Sequence, residues 1–168
     1  MRIGKNTLAV ILLGASIAAG ASAVPAVASA PAVAAAPATG HHVNASASPA
    51  ASVAIAYARK QLGKPYLWGG TGPGAYDCSG LTFMAWQQAG VNIGRTSQQQ
   101  WADLPHEGEG DLQPGDLVFY VGALESGEAP PGHVAMYIGD GQILEAYATG
   151  YPIRITEMRP GAFGFARP

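Results

Sequence analysis

Cys78 is the chain's single cysteine, and only four histidines accompany it, so the side chains able to act as nucleophile and base are few. Cys78, Leu81, Thr82, Ala85 and Ala89 recur at helical spacing, which predicts a helix over 78–89 that Gly90 ends. Asp77 stands where an N-cap belongs. A cysteine in a helix's first turn faces unpaired N–H groups and the positive end of the dipole, which favours the thiolate. Asp77 adds a negative charge that opposes it. On the same stripe, Cys78 also reads as core filler, and its position alone does not choose between the two.

A thiolate nucleophile needs a base, and the base needs an orienting group. His41 and His42 lie in an Ala/Pro/Ser-rich stretch and read as solvated. His106, in Pro-His-Glu-Gly-Glu, reads as a surface residue. His133 opens a strand whose alternation places His133, Ala135 and Tyr137 on one face and Val134, Met136 and Ile138 on the other; taken alone it also reads as an edge residue. With Gly139 to Gly141 as a three-residue loop, Ile138 pairs with Gln142 and Ala135 stands opposite Glu145. His133 is then the diagonal neighbour of Glu145 on the same face, within reach across the ladder. A two-residue loop would put the pair on opposite faces. Glu145 lies between Leu144 and Ala146, an odd place for a solvated carboxylate but a fitting one for a partner of imidazole. Thiol, imidazole and carboxylate together point to cysteine-dependent acyl transfer; a secreted binding module is the other reading.

The elements that must position these groups follow an α+β order, N-terminal helices before an antiparallel sheet. Ser48 caps and Pro49 opens a helix whose stripe is Ala51, Ala54, Ile55, Ala58 and Leu62, with Gly63 ending it. Gly69 to Gly74 is a Gly-rich loop without the Lys-Ser/Thr ending of a phosphate loop. A short helical turn runs from Thr96 or Ser97 to Leu104. Pro114-Gly115-Asp116 is a turn before a doubly buried strand over 117–121. A polar loop over 125–132 precedes the His133 strand, and a strand over 142–146 follows it. Short strands are expected at 153–155 and 163–165. Trp68, Trp86 and Trp101 read as core or groove wall.

Charged residues make up only 12% of the sequence and the formal charge is −2, so the basic footprint of a nucleic-acid binder is missing. At the N-terminus, Arg2 and Lys5 precede the apolar run Leu8 to Leu13 and then small residues with Ala-x-Ala sites. This is the plan of a signal peptide over 1–28, cut after Ala28 or Ala30, rather than of a permanent membrane anchor. Residues 29–49 read as a disordered Ala/Pro/Ser-rich tether, with an Asn44-Ala45-Ser46 sequon of little weight. The folded unit is expected over 50–168. One cysteine in a secreted chain makes no internal disulfide.

These stretches resemble the NlpC/p60 family of cell-wall cysteine peptidases. The resemblance is carried by 58–70 (Ala-Arg-Lys-Gln-Leu-Gly-Lys-Pro-Tyr-Leu-Trp-Gly-Gly), Tyr76-Asp77-Cys78-Ser79-Gly80-Leu81 and Arg95-Thr96-Ser97-Gln98-Gln99. It continues through 112–119 (Leu-Gln-Pro-Gly-Asp-Leu-Val-Phe) and 133–141 (His-Val-Ala-Met-Tyr-Ile-Gly-Asp-Gly), and spans about Val53 to Arg167. It implies a reduced papain-like fold and a peptidoglycan D,L-endopeptidase that cuts the γ-D-glutamyl–diamino acid bond of stem peptides. Cys78 would be the nucleophile and His133 the base and acid. Glu145 would be the third member, in the glutamate-containing variant of the triad where many relatives carry histidine. Tyr66 and the Cys78 backbone would hold the oxyanion, while Asp77, Ser79 and Ser97 would line the substrate groove. The resemblance implies no metal or other cofactor, a monomer, and a secreted, cell-wall-associated location. An amidase or acyltransferase of the same superfamily, or a catalytically silent wall-binding protein, are the alternatives.

Overall fold

A computed structural model describes residues 46–122 and 129–168. The expected signal peptide, His41, His42, Asn44 and most of the expected tether lie outside the described residues, as does part of the loop before His133. The order is α1 (Pro49–Arg59), α2 (Cys78–Gln88), α3 (Ser97–Asp103), β1 (His106–Glu107), β2 (Leu117–Tyr120), β3 (His133–Gly139), β4 (Gln142–Glu145), β5 (Arg154–Glu157) and β6 (Gly164–Ala166). A 3-10 turn over Glu109–Asp111 lies between β1 and β2. The six strands form one antiparallel sheet in the order β1-β6-β2-β3-β4-β5. This is the expected α+β architecture, N-terminal helices packed on an open antiparallel sheet in the manner of a reduced papain-like fold. Among the described residues no helix is long and apolar enough to cross a membrane.

Ser48 accepts from the Ala51 N–H and Pro49 takes the first helical position, so α1 starts as the sequence predicts. Its Ala51, Ala54 and Ala58 are buried. The helix ends at Arg59, however, and Leu62 is 40% exposed rather than part of the stripe. The chain turns away there because the Gly63 N–H donates to the Ile153 carbonyl, stitching this corner to the segment before β5. The small alanines of α1 allow close packing against Leu81, Ala85 and Trp86 of α2. Beneath them lie Leu117, Phe119, Val134, Met136 and Leu144 from one sheet face. Val118, Tyr120, Ala135, Ile143 and Phe165 form a second apolar cluster on the other face.

The start of α2 is held by the Gly-rich loop. The Asp77 N–H donates to the Gly70 carbonyl, and the Gly70 N–H to the Leu67 carbonyl. A Cβ on Gly80 would run into the Gly70 carbonyl oxygen and come within 2.9 Å of Asp77 Oδ1. The loop can therefore lie on the nucleophile's helix only because residue 80 lacks a side chain. Gly80→Ala is expected to cost about 1–3 kcal/mol by overpacking, visible as a thermal midpoint lowered by several degrees; an unchanged midpoint would refute the close approach.

The β3–β4 hairpin differs from expectation in an instructive way. The turn is two residues, Asp140-Gly141, with Gly139 rather than Ile138 opposite Gln142. Gly139, Asp140 and Gly141 all have positive φ, at 96°, 52° and 71°. A bulge between Tyr137 and Gly139 then takes up one residue, so Tyr137 pairs with Ile143 and Met136 with Leu144. The strand bodies thus keep the register expected for the longer loop, and His133 and Glu145 stay on one face.

Smaller differences have local causes. β2 stops at Tyr120, with Val121 half exposed. β5 and β6 begin one residue later than expected. The two-residue β1 was not foreseen because His106 and Glu107 gain their strand character only by pairing with Ala166 and Phe165. His106 is exposed, as expected, and stacks on Trp101 with ring centroids 3.6 Å apart.

Candidate functional site

Cys78 is the first residue of α2 and 7% exposed. Asp77 caps the helix by accepting from the Gly80 N–H. Its negative charge beside the thiol has a partner the sequence did not assign. Arg95 grips Asp77 through both oxygens, Nη2 to Oδ2 at 2.7 Å and Nη1 to Oδ1 at 3.1 Å. Arg95 Nη1 also donates to Ser79 Oγ at 3.1 Å, and Ser79 donates to Asp77 Oδ1 at 3.3 Å. Asp77 therefore caps and is neutralised at once. The signal for Arg95 was its place in the matching stretch Arg95-Thr96-Ser97-Gln98-Gln99.

Arg95 is delivered by the start of α3. Thr96 caps that helix and forms a reciprocal capping box with Gln99. Gln100, buried, donates to the Ser79 and Gly94 carbonyls and accepts from Thr82, which ties α3 to α2. Ser97 is buried and donates to the Pro131 carbonyl at 2.8 Å, so α3 also anchors the segment entering β3. With its proton committed there, the Ser97 hydroxyl offers a groove ligand an acceptor rather than a donor.

A cleft of about 280 Å³ runs over this surface, lined by Trp68 and Gly69, by Asp77, Cys78 and Ser79, and by Arg95 to Gln98 and Gly132. Asp77, Ser79 and Ser97 all line it. Trp68 is 60% exposed and forms a wall, whereas Trp86 is buried in the core. The lining stops one residue short of His133.

His133 is 6% exposed, and its Nε2–H donates to Glu145 Oε2 at 2.9 Å. That bond leaves Nδ1 for the other side of the ring. Burial alone would lower the His133 pKa, but the neighbouring Cys78 and the bonded Glu145 overcome it and raise it to about 8. Glu145 is 1% exposed. Burial disfavours its anion, yet the bonds from His133 and Arg159 and their charges hold its pKa down at about 2. An anionic carboxylate on one imidazole nitrogen orients the ring and favours its protonated form, which suits a group that takes up and returns a proton.

Tyr66, half-buried between Pro65 and Leu67, lies next to Tyr76 in a short bridge. Its hydroxyl stays protonated far above neutral pH. Burial, with the charges of Cys78 and Asp77 nearby, pushes its pKa up to about 12. A phenol so held is a donor at every working pH.

Known proteins give the wider context. A model of the NlpC/P60 family matches residues 63–164. A probable endopeptidase of Corynebacterium glutamicum is 45% identical over 113 residues, covering 65% of this chain and 50% of that protein. A probable endopeptidase p60 of Listeria grayi is 43% identical over 112 residues, covering 66% and 21%. The chain thus spans half or less of the length of these relatives. Among solved structures, the peptidoglycan hydrolase RipB of Mycobacterium tuberculosis is similar with a TM-score of 0.59 and 32% identity, over 71% of this chain and 64% of that one. With the family pattern matched over most of the described fold, the chain belongs to the NlpC/P60 family.

Proposed function

We propose that this chain is a secreted peptidoglycan hydrolase, a cysteine endopeptidase that cuts the γ-D-glutamyl–diamino acid bond of cell-wall stem peptides. The observation that carries the reading is the buried imidazole of His133 bonded to the buried Glu145 carboxylate, with Cys78 opening α2 and lining the cleft that ends at Gly132. The relatives' descriptions as endopeptidases and as a peptidoglycan hydrolase support it.

In this mechanism Cys78 Sγ, its proton passed to His133, attacks the γ-carbonyl carbon of D-Glu. The Cys78 backbone N–H and the Tyr66 hydroxyl donate to the oxyanion. Collapse breaks the C–N bond, and the His133 imidazolium gives its proton to the departing amine. His133 then takes a proton from water, whose oxygen attacks the thioester, and Cys78 leaves as thiolate. Glu145 keeps Nε2 protonated and stabilises the imidazolium, making this the glutamate variant of the triad. Asp77, Ser79 and Ser97 would receive the stem, with the acceptor on Ser97 suited to an N–H group. Residues 1–28 would act as signal peptide, 29–49 as tether and 50–168 as the catalytic domain.

A glycan-linked stem peptide tests the choice of bond. The expected new amine belongs to the diamino acid, with D-Glu at the other end of the cut. A new amine on the first stem residue would instead place the activity among the amidases. No new amine at all would contradict the enzyme reading.

A further inference from the structure

Glu145 accepts more bonds than an imidazole partner requires. Arg154 donates to Oε1 from Nε at 3.2 Å and Nη2 at 3.0 Å. Arg159 bridges both oxygens, Nη1 to Oε1 and Nη2 to Oε2, each at 2.8 Å. With His133 Nε2 on Oε2, five N–H donors converge on a carboxylate that has about four lone-pair sites. Neither guanidinium is loose. Arg154 lies 4.7 Å from the Tyr147 ring centroid and 5.0 Å from that of Tyr151. Arg159 lies 4.5 Å from Tyr120 and 5.2 Å from Tyr147. Tyr120 and Tyr147 are also the rings beside His133, with centroids at 6.0 and 5.7 Å.

We infer that Arg159, backed by Arg154, is a positioning residue that acts on His133 through Glu145, fixing the plane of the carboxylate and limiting how strongly it stabilises the imidazolium. The inference rests on the proposed role of His133. Arg159 holds both carboxylate oxygens, so Oε2 can turn only one free direction toward Nε2–H. Electrostatically, one negative charge already faces two guanidinium charges before the imidazole adds a third. A fixed cation on the far side of Glu145 opposes protonation of His133 and keeps its proton transferable.

Among the described residues, the charged and titratable groups facing His133 are Cys78 from α2, Tyr120 from β2, Glu145 from β4 and Tyr147 beyond it. Behind Glu145 stand Arg154 from β5 and Arg159 after it. Asp77 lies close to Cys78, but Arg95 neutralises it. Within this set, removing the Arg159 charge raises the His133 pKa, whereas removing the Glu145 charge lowers it. A guanidinium that served packing alone would not give that opposition of sign.

The test is an NMR titration of the ¹³Cε1-labelled histidines in the full chain, with the His133 signal assigned by its loss in His133→Gln. This readout needs no substrate, so its failure is separate from failure of the peptidase reading, which the stem-peptide assay decides. Arg159→Gln is expected to move the His133 midpoint upward by about half to one pH unit. Arg154→Gln, losing contacts to Oε1 only, should move it less in the same direction. Arg159→Lys keeps the charge and should hold the midpoint near the parent's, while the basic limb of kcat follows the midpoint in every variant with KM little changed. A midpoint that stays put or falls in both glutamine variants would overturn the inference.

Discussion

Cys78→Ala is expected to reduce stem-peptide cleavage by at least about 10⁴-fold, since removal of a covalent nucleophile leaves only binding and the oxyanion donors. The loss should be chemical rather than structural. Cys78 occupies the first turn of α2, capped from Asp77, and alanine is favourable in a helix. Trimming one buried sulfur costs little beside the contacts that Leu81, Ala85 and Trp86 make on the same helix. The variant should therefore melt close to the parent and still bind stem peptide. Initial rates of amine release on a defined peptide, with thermal melts alongside, check both halves. A rate largely retained in a folded Cys78→Ala protein would sink the thioester mechanism.

Glu145→Gln is expected to lower kcat by about 10²-fold and to destabilise the protein by about 1–3 kcal/mol. The activity loss follows from the bond to His133 Nε2. A neutral amide still accepts there but no longer stabilises the imidazolium, so the His133 midpoint falls from about 8 toward its ordinary 6.5. The basic limb of the pH–rate profile should fall with it. The stability loss follows from Arg154 and Arg159, whose shared buried anion disappears while the amide N–H₂ turns donors toward donors.

The pH dependence of stability has two opposed parts. Glu145 is held at about 2, below its ordinary 4.5, so its contribution is complete above pH 4.5 and is lost as pH falls toward 2. His133 is raised to about 8, so its contribution is complete below pH 6.5 and is lost as pH rises through 8. The parent should be most favoured by this pair between about pH 4.5 and 6.5, and Glu145→Gln should flatten both flanks. Thermal melts from pH 2 to 9 measure it; an acid flank as steep as the parent's would mean that Glu145 is not the group responsible.

Much of the site could be read along the chain because its parts begin elements. Asp77 and Cys78 open α2, Thr96 and Ser97 open α3, and His133 opens β3, and helix and strand starts are where caps and periodicity speak most clearly. What the sequence hid was set by contacts between distant segments. The pairing of Arg95 with Asp77 spans 18 residues, and no local pattern announces it. Arg154 and Arg159 carry no local pattern that marks them, yet they meet a carboxylate buried on β4. The hairpin shows a subtler limit. Gly139-Asp140-Gly141 announces a turn but not its length, and the bulge that restores the register is a property of the paired strands. Likewise α1 stops at Arg59 because of a bond from Gly63 to Ile153, ninety residues on.

The most direct test of the account is a product map of whole peptidoglycan digested side by side with the parent protein and Cys78→Ala, the fragments identified by mass spectrometry. The account predicts fragments that end in D-Glu, with matching diamino acid N-termini, in the parent digest alone. The same fragments from Cys78→Ala, or free stems released from the glycan by the parent, would contradict it.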